Sequence, residues 1–251
     1  MQEPTDLSNT FGADRVDEHE RERRIRRVFE AVAQRYDLMN DLMSLGIHRR
    51  WKRRLVALAA PRAGQNIVDL AGGTGDVAAL MAGPDRRITV VDPSLAMMQA
   101  GKARGLVHVA WLQGSAERLP LADASVDTLT IAFGIRNVTR IEVALAEALR
   151  VLHPGGRFLC LEFSKPAPWL RPFYDAFSRL VIPRLGAWVA RVPEAYVYLI
   201  ESIRRFPDQQ SFQRLIEQAG FVDTGFTNLS FGIASIHVGT RPNVVDMKVV
   251  K

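Results

Sequence analysis

From Val68 to Asp76 the sequence reads Val-Asp-Leu-Ala-Gly-Gly-Thr-Gly-Asp. An apolar run ends in a turn whose Gly72, Gly73 and Gly75 lack the Cβ atoms that would keep a ligand off the backbone, and a helix follows. Such a turn suits a nucleotide-like ligand. Gly73-x-Gly75-x-x-Ala78 also fits the relaxed dinucleotide fingerprint, so the loop alone leaves a dehydrogenase open. Asp69 bears on that choice. A carboxylate at the strand end beside the loop repels a pyrophosphate but suits a ligand carrying an ammonium and a sulfonium, as S-adenosylmethionine does. Asp92 closes the next apolar run about 20 residues on, where an acid accepts both ribose hydroxyls of either cofactor class. Taken singly, Asp92-Pro93 also reads as a helix N-cap and the glycines as a tight turn. Together they favour a cofactor site.

The elements that must position these residues follow from the pattern of apolar runs. Residues 66–162 alternate short β-rich runs (NIVDL, ITVVD, VHVAWL, VDTLTIAF, RFLCLEF) with helical stretches near 95–103 and 141–152, a parallel α/β pattern. Before them, Ile25, Val28, Phe29, Val32 and Tyr36 make one helical apolar stripe. After them, residues 164–206 break the alternation with five prolines and read as a helical insert. A helix over 208–219 and two strands, expected as an antiparallel hairpin at a sheet edge, complete the chain. The expected organisation is a mobile segment 1–24 and a single domain 25–241 with an N-terminal helical cap (25–61), followed by a tail (242–251). The fold class is α/β, a Rossmann-like doubly wound sheet, mostly parallel.

Length and composition agree with one large soluble domain: 251 residues, 47% hydrophobic and 24% charged. The lone Cys160 can form neither an internal disulfide nor a thiolate zinc site, which fits a reducing compartment, and the acid-rich N-terminus has no secretory pattern. The expected location is the cytoplasm, with peripheral contact at the membrane face. A net charge of +6 permits anionic partners without choosing one. Five bases crowd into His48-Arg49-Arg50-Trp51-Lys52-Arg53-Arg54, read as a solvated helix face in preference to a nucleic-acid site.

DLAGGTGD, VDPS, SAERLP and LRVLHPGGRF together resemble the class I S-adenosylmethionine-dependent methyltransferases. YDLMNDLMSLGIHRRWK, FGIRNV, LEFSKP, YVYLIESI and FPDQ narrow the resemblance to the ubiquinone/menaquinone biosynthesis C-methyltransferases, from about Val28 to Arg241. The resemblance implies methylation of a ring carbon on a polyprenylated benzoquinol, a demethylmenaquinol or both, with S-adenosylmethionine as co-substrate and no metal. It carries cofactor binding to Thr74, Asp92, Ser115 and Ala116, beside the Asp69 and Gly73 read from the loop. Two positions depart from the family pattern, Ser115 where Asn is frequent and Ala132 where a hydroxyl is, so backbone groups are expected to supply part of those contacts.

A hydroquinol ring becomes nucleophilic when its hydroxyl proton leaves or its phenolate is stabilised. Arg136 and Asn137 follow the fourth strand at the carboxyl edge where open α/β sheets hold ligands. Arg136 is assigned to the phenolate, Asn137 to the ring hydroxyl, and Tyr36 to covering the cofactor, all three as catalytic. Tyr196 and Tyr198 are candidates to line the insert. Trp169, Phe173, Phe177 and Leu180 at helical spacing, with Arg171, Arg179 and Arg184, suggest a wall for the polyprenyl tail that touches a bilayer. A quinone-biosynthesis enzyme assembly is a further expected partner, and nucleic acid is not. An RNA methyltransferase and a non-catalytic cofactor-binding subunit are the rival readings.

Overall fold

The computed structural model describes residues 10–11, 14–33, 41, 44, 46–180 and 193–243. Each of the five apolar runs forms a strand: β3 (Asn66–Leu70), β4 (Arg87–Asp92), β5 (Val109–Gln113), β6 (Val126–Ala132) and β7 (Leu152–Phe163). They pair in parallel in the order β5-β4-β3-β6-β7. The chain builds outward from β3 to β4 and β5, then returns to the other side of β3 to lay down β6 and β7. That reversal opens a crevice beyond the carboxyl ends of β3 and β6, the place such sheets use for ligands.

β9 (Ala234–Thr240) joins β7 antiparallel, and β8 (Val222–Leu229) pairs with β9 as the outer strand. The expected hairpin is present, with its second strand inside the sheet. Burial explains the order: Ser235, Ile236 and His237 are all buried, whereas β8 is half-buried to exposed along its length. His237 Nε2 meets the Gln209 carbonyl oxygen at 2.9 Å, which satisfies the ring inside the sheet layer.

Both sheet faces are covered. On one, Leu129, Ile131, Phe158 and Cys160 pack with Leu145 and Ala148 of α5 (Ile141–Val151) and Phe212 and Ile216 of α8 (Gln209–Gln218). On the other, Val90, Leu159 and Leu161 pack with Leu55 of α2 (Ile47–Ala59) and Met81 of α3 (Asp76–Met81). Strands covered on both faces account for the near-continuous apolar runs. α4 (Leu95–Lys102) follows β4, and α6 (Arg171–Leu180) and α7 (Pro193–Arg205) lie in the expected insert.

The N-terminus differs from expectation. A two-residue ladder, β1 (Thr10–Phe11) with β2 (Asp14–Arg15), leads into α1 (Glu18–Val32), so regular secondary structure begins before Ile25. The Asp17 carboxylate accepts the Glu20 N–H at 2.8 Å and starts the helix. The apolar stripe begins only at Ile25 because the first turns of α1 are almost wholly charged, and they include a buried arginine, Arg21, at 2% exposure. The basic run also departs from a solvated face. Arg49, Arg50, Arg53 and Arg54 are exposed, but His48, Trp51 and Lys52 on the same helix are buried.

The insert wall is shifted as well. α6 starts at Arg171, which leaves Trp169 in the turn before it. The side chains of Leu180 and Arg179, and the whole of Arg184, lie outside the described residues.

Gly101 in α4 ties fold to site. A Cβ there would strike the Trp111 indole and stand 2.9 Å from the Thr74 carbonyl oxygen of the glycine loop. Backbone cannot yield as a flexible side chain does. Gly101→Ala is therefore expected to cost about 1–3 kcal/mol, read as a lower urea midpoint, and to weaken cofactor binding measured by calorimetry.

Candidate active site

A cleft of about 260 Å³ opens at the crevice between β3 and β6. Its floor is Leu70, Ala71 and Gly73 of the glycine loop, and one wall is Asp92–Ser94 with Met97. Ser115–Glu117 close a second side, Phe133, Gly134 and Asn137–Thr139 a third, and Glu22, Ile25, Arg26 and Phe29 of α1 the fourth. The close approach of the two strand ends depends on glycine: a Cβ on Gly134 would lie 2.6 Å from that of Ala71.

Asp92 faces the cleft and also holds its floor. Its Oδ2 accepts the Gly73 N–H at 2.9 Å and its Oδ1 the Ser94 N–H at 2.8 Å. Burial pushes its pKa up, and those two N–H groups oppose the rise. Each oxygen keeps a lone pair, which suits a vicinal diol.

Asp69 lies beneath the loop. Its Oδ1 accepts the Thr130 hydroxyl at 3.0 Å and its Oδ2 the Ala78 N–H at 3.1 Å, and a Cβ on Gly72 would stand 2.8 Å from that same Oδ2. Burial pushes Asp69 up to about 7 against both donors. It lines a cavity of about 20 Å³ shared with Gly73, Thr74, Asp76 and Lys52.

Thr74 borders that small cavity; its carbonyl accepts from Arg104 at 3.0 Å. Arg104 also reaches Asp76 at 2.6 Å, and Lys52 Nζ donates to the other Asp76 oxygen at 2.8 Å. Burial alone would raise Asp76, but the Lys52 and Arg104 charges bring it to about 2. Lys52 was legible only as part of a basic run. The spacing of Trp51, Leu55 and Ala59 on α2 marks the buried face, and Lys52 adjoins it.

Ser115 and Ala116 both line the cleft, and the Ser115 hydroxyl accepts the Glu117 N–H at 3.2 Å. Ala132, with no hydroxyl, borders the small cavity. Tyr36 lies outside the described residues, as does the side chain of Tyr196.

Arg136 follows the fourth strand as expected, with its guanidinium behind the cleft wall. The sequence put its guanidinium beside the reacting centre, yet it is absent from the cleft lining and only 4% exposed. Its Nη1 donates to Glu162 Oε1 at 2.7 Å and to the Phe133 carbonyl at 2.6 Å, and the guanidinium stands 5.5 Å from the Phe163 ring centroid. The buried carboxylate of Glu162 draws it under the wall. Asn137 does line the cleft, and its Oδ1 accepts the Tyr198 hydroxyl at 2.9 Å. Nothing in the charged surroundings of Arg21 marks it in the sequence as buried. It donates to the Thr10 and Asn137 carbonyls and to the Thr139 hydroxyl, each at 3.1 Å.

These groups fit S-adenosylmethionine: an acid for the ribose, a Cβ-free backbone at Gly73 and carboxylates for a cationic end. Residues 17–241 match the ubiE/COQ5 methyltransferase family. The chain is 73% identical over 241 residues to the ubiquinone/menaquinone biosynthesis C-methyltransferase UbiE of Rubrivivax gelatinosus, covering 96% of each chain. It is 50% identical over 249 residues to the UbiE of Caulobacter vibrioides, covering 93% of this chain and 99% of that one. Among solved structures, a SAM-dependent methyltransferase from Thermotoga maritima superposes with a TM-score of 0.63 at 22% identity, covering 86% of this chain and 99% of that one, a likeness of fold.

A cationic ligand beside Asp69 favours its carboxylate over its acid form. Affinity for S-adenosylmethionine is therefore expected to weaken as pH falls below about 7, with proton release on binding there. Calorimetry in two buffers of different ionisation enthalpy checks this, and Asp69→Asn should bind without proton release.

Proposed function

The chain belongs to the ubiE/COQ5 methyltransferase family, and on that premise we propose that its cleft brings a sulfonium methyl to a ring carbon of a polyprenylated benzoquinol, a demethylmenaquinol or both. It is an S-adenosylmethionine-dependent C-methyltransferase of ubiquinone/menaquinone biosynthesis. The observation that carries the residue assignment is the cleft itself, in which Asp92 from the end of β4 and Asn137 from the turn after β6 face one space. When bound, S-adenosylmethionine supplies an electrophilic methyl on a positively charged sulfur.

In this reading Asp92 takes the ribose hydroxyls, Gly73 lets the ligand lie against the loop, and Ser115 and Ala116 bracket the base. Asp69 and Thr74 act from below, holding the loop and biasing the cavity beneath it toward a cation. Asn137 orients the ring hydroxyl, its amide fixed by Tyr198. Arg136 lies beneath that turn and lowers the cost of a phenolate through its charge, since an ordinary guanidinium is too weak an acid to serve as a free base. Tyr36 is assigned to cover the cofactor.

Among the described residues no helix is long and apolar enough to cross a membrane. A polyprenylated substrate nonetheless has to reach the cleft from a lipid phase. Trp169, Phe173 and Phe231 are 60%, 71% and 68% exposed, and Trp169 meets Phe231 edge to face at 5.2 Å. Exposed aromatics beside the exposed Arg171 suit an interfacial contact with anionic lipid. Trp169→Ala with Phe231→Ala is expected to reduce co-flotation with anionic vesicles while leaving transfer to a short-tailed substrate intact.

Incubation of the pure protein with labelled S-adenosylmethionine and chemically reduced benzoquinol or demethylmenaquinol analogues tests the main reading. Label is expected in the organic phase only with the reduced ring, and the preferred ring names the substrate. Arg136→Ala should lose about 10²–10³-fold in kcat. Cofactor binding without transfer to either ring would favour the non-catalytic rival.

A further inference from the structure

Buried polar atoms in folded proteins almost always find a partner. Among the described residues three do not: Arg136 Nε, Glu162 Oε2 and Ser164 Oγ. They belong to one place. Arg136 and Glu162 are joined at 2.7 Å, and Ser164 follows Glu162 by two residues at the carboxyl end of β7, on the same side of the extended chain. Glu162 is fully buried. The cluster lies directly behind the cleft wall: Arg136 Nη1 donates to the carbonyl oxygen of Phe133, which lines the cleft, and Asn137, fixed by Tyr198, lines it beside Phe133.

Resting on the quinol reading above, we propose that Glu162 is the group that takes the hydroxyl proton of the ring substrate, and that Arg136 then serves as counter-ion to the phenolate. The O–H bond breaks, its proton goes to Glu162 Oε2, and its electron pair stays on the ring. A ring carbon attacks the sulfonium methyl, the carbon–sulfur pair leaves with sulfur, the proton of that ring carbon passes to solvent water as aromaticity is restored, and Glu162 Oε2 returns its proton to the ring oxygen. Before proton transfer the site holds one guanidinium and one carboxylate; afterwards it holds one guanidinium and one phenolate. No net charge is added to a buried place, which avoids the large penalty of an unpaired ion.

The surroundings of Glu162 favour this exchange. Burial pushes its pKa up and Arg136 opposes that rise, so the carboxylate is a stronger base than an exposed one. Its titratable neighbours are Cys160, two residues back on β7, and Tyr198 from α7, whose own pKa values burial also raises. Both stay neutral near pH 7 and cannot compete for the proton. Ser235 on β9, in register with Glu162, is uncharged.

Two readouts test the proposal. Glu162→Gln is expected to lower kcat by about a hundredfold or more, with affinity for S-adenosylmethionine unchanged, and a ring-fluorinated quinol with a more acidic hydroxyl should recover much of that loss. Independently of turnover, a nitrophenol analogue bound to wild type with S-adenosylhomocysteine below its solution pKa should absorb as phenolate without releasing a proton to the buffer, whereas in Glu162→Gln the same phenolate should form only with release of one proton, because Arg136 still pairs with it but no carboxylate takes its proton. Equal recovery in both proteins, or the same proton release on binding in both, would overturn the assignment. Should the variant not fold, the wild-type spectrum decides, since an analogue that stays neutral up to its solution pKa refutes proton transfer to Glu162. Wild type that transfers no label to any quinol would instead refute the quinol reading.

Discussion

Two carboxylates bind the glycine loop from opposite flanks, and the cleft exists because of them. Asp92 takes the Gly73 N–H from the end of β4, and Asp69 takes the Ala78 N–H from beneath, where the loop has become helix α3. Each spends part of its hydrogen-bonding capacity on the backbone and keeps the rest. A loop free of Cβ atoms pays heavily in chain entropy to hold one conformation, and buried charge-assisted hydrogen bonds offset that cost locally. The same acids that suit a diol and a cation therefore also shape the surface on which the ligand lies.

The loop is further braced by charge from elements distant in sequence. Lys52 from α2 and Arg104 from the end of α4 meet on Asp76, and Arg104 also reaches the Thr74 carbonyl. Across the cleft, Arg21 of α1 performs a comparable task on the turn after β6, donating to the Asn137 carbonyl and the Thr139 hydroxyl. Because Glu22, Ile25, Arg26 and Phe29 stand on the same helix, that arginine sets the register of a whole cleft wall. The N-terminal helix is thus part of the site.

What was legible in the sequence was what repeats at short range. Runs such as NIVDL and ITVVD announce strands covered on both faces, and the glycine spacing with Asp69 and Asp92 announces a cofactor, because backbone geometry and a few residues suffice for each. Lys52 and Arg21 were not legible. A charged residue becomes a buried brace only when its partners arrive from far along the chain, over a hundred residues for Arg21 and Asn137, and no local pattern carries that information. For Arg136 the chain position is legible, but the carboxylate of Glu162 on the neighbouring strand decides where its guanidinium goes.

That last interaction bears on how a methyl acceptor can be activated from behind the cleft wall. A guanidinium buried alone would be prohibitively costly, and one paired to a fixed carboxylate would be electrostatically silent toward substrate. A partner that can be neutralised by a proton resolves the conflict, because the guanidinium's field then becomes available only when the ring hydroxyl gives up its proton. Such a site should discriminate by oxidation state. A quinone has no hydroxyl proton to give, so it leaves the ion pair intact and the ring unactivated, whereas a quinol converts one buried ion pair into another and gains a nucleophilic carbon in the exchange.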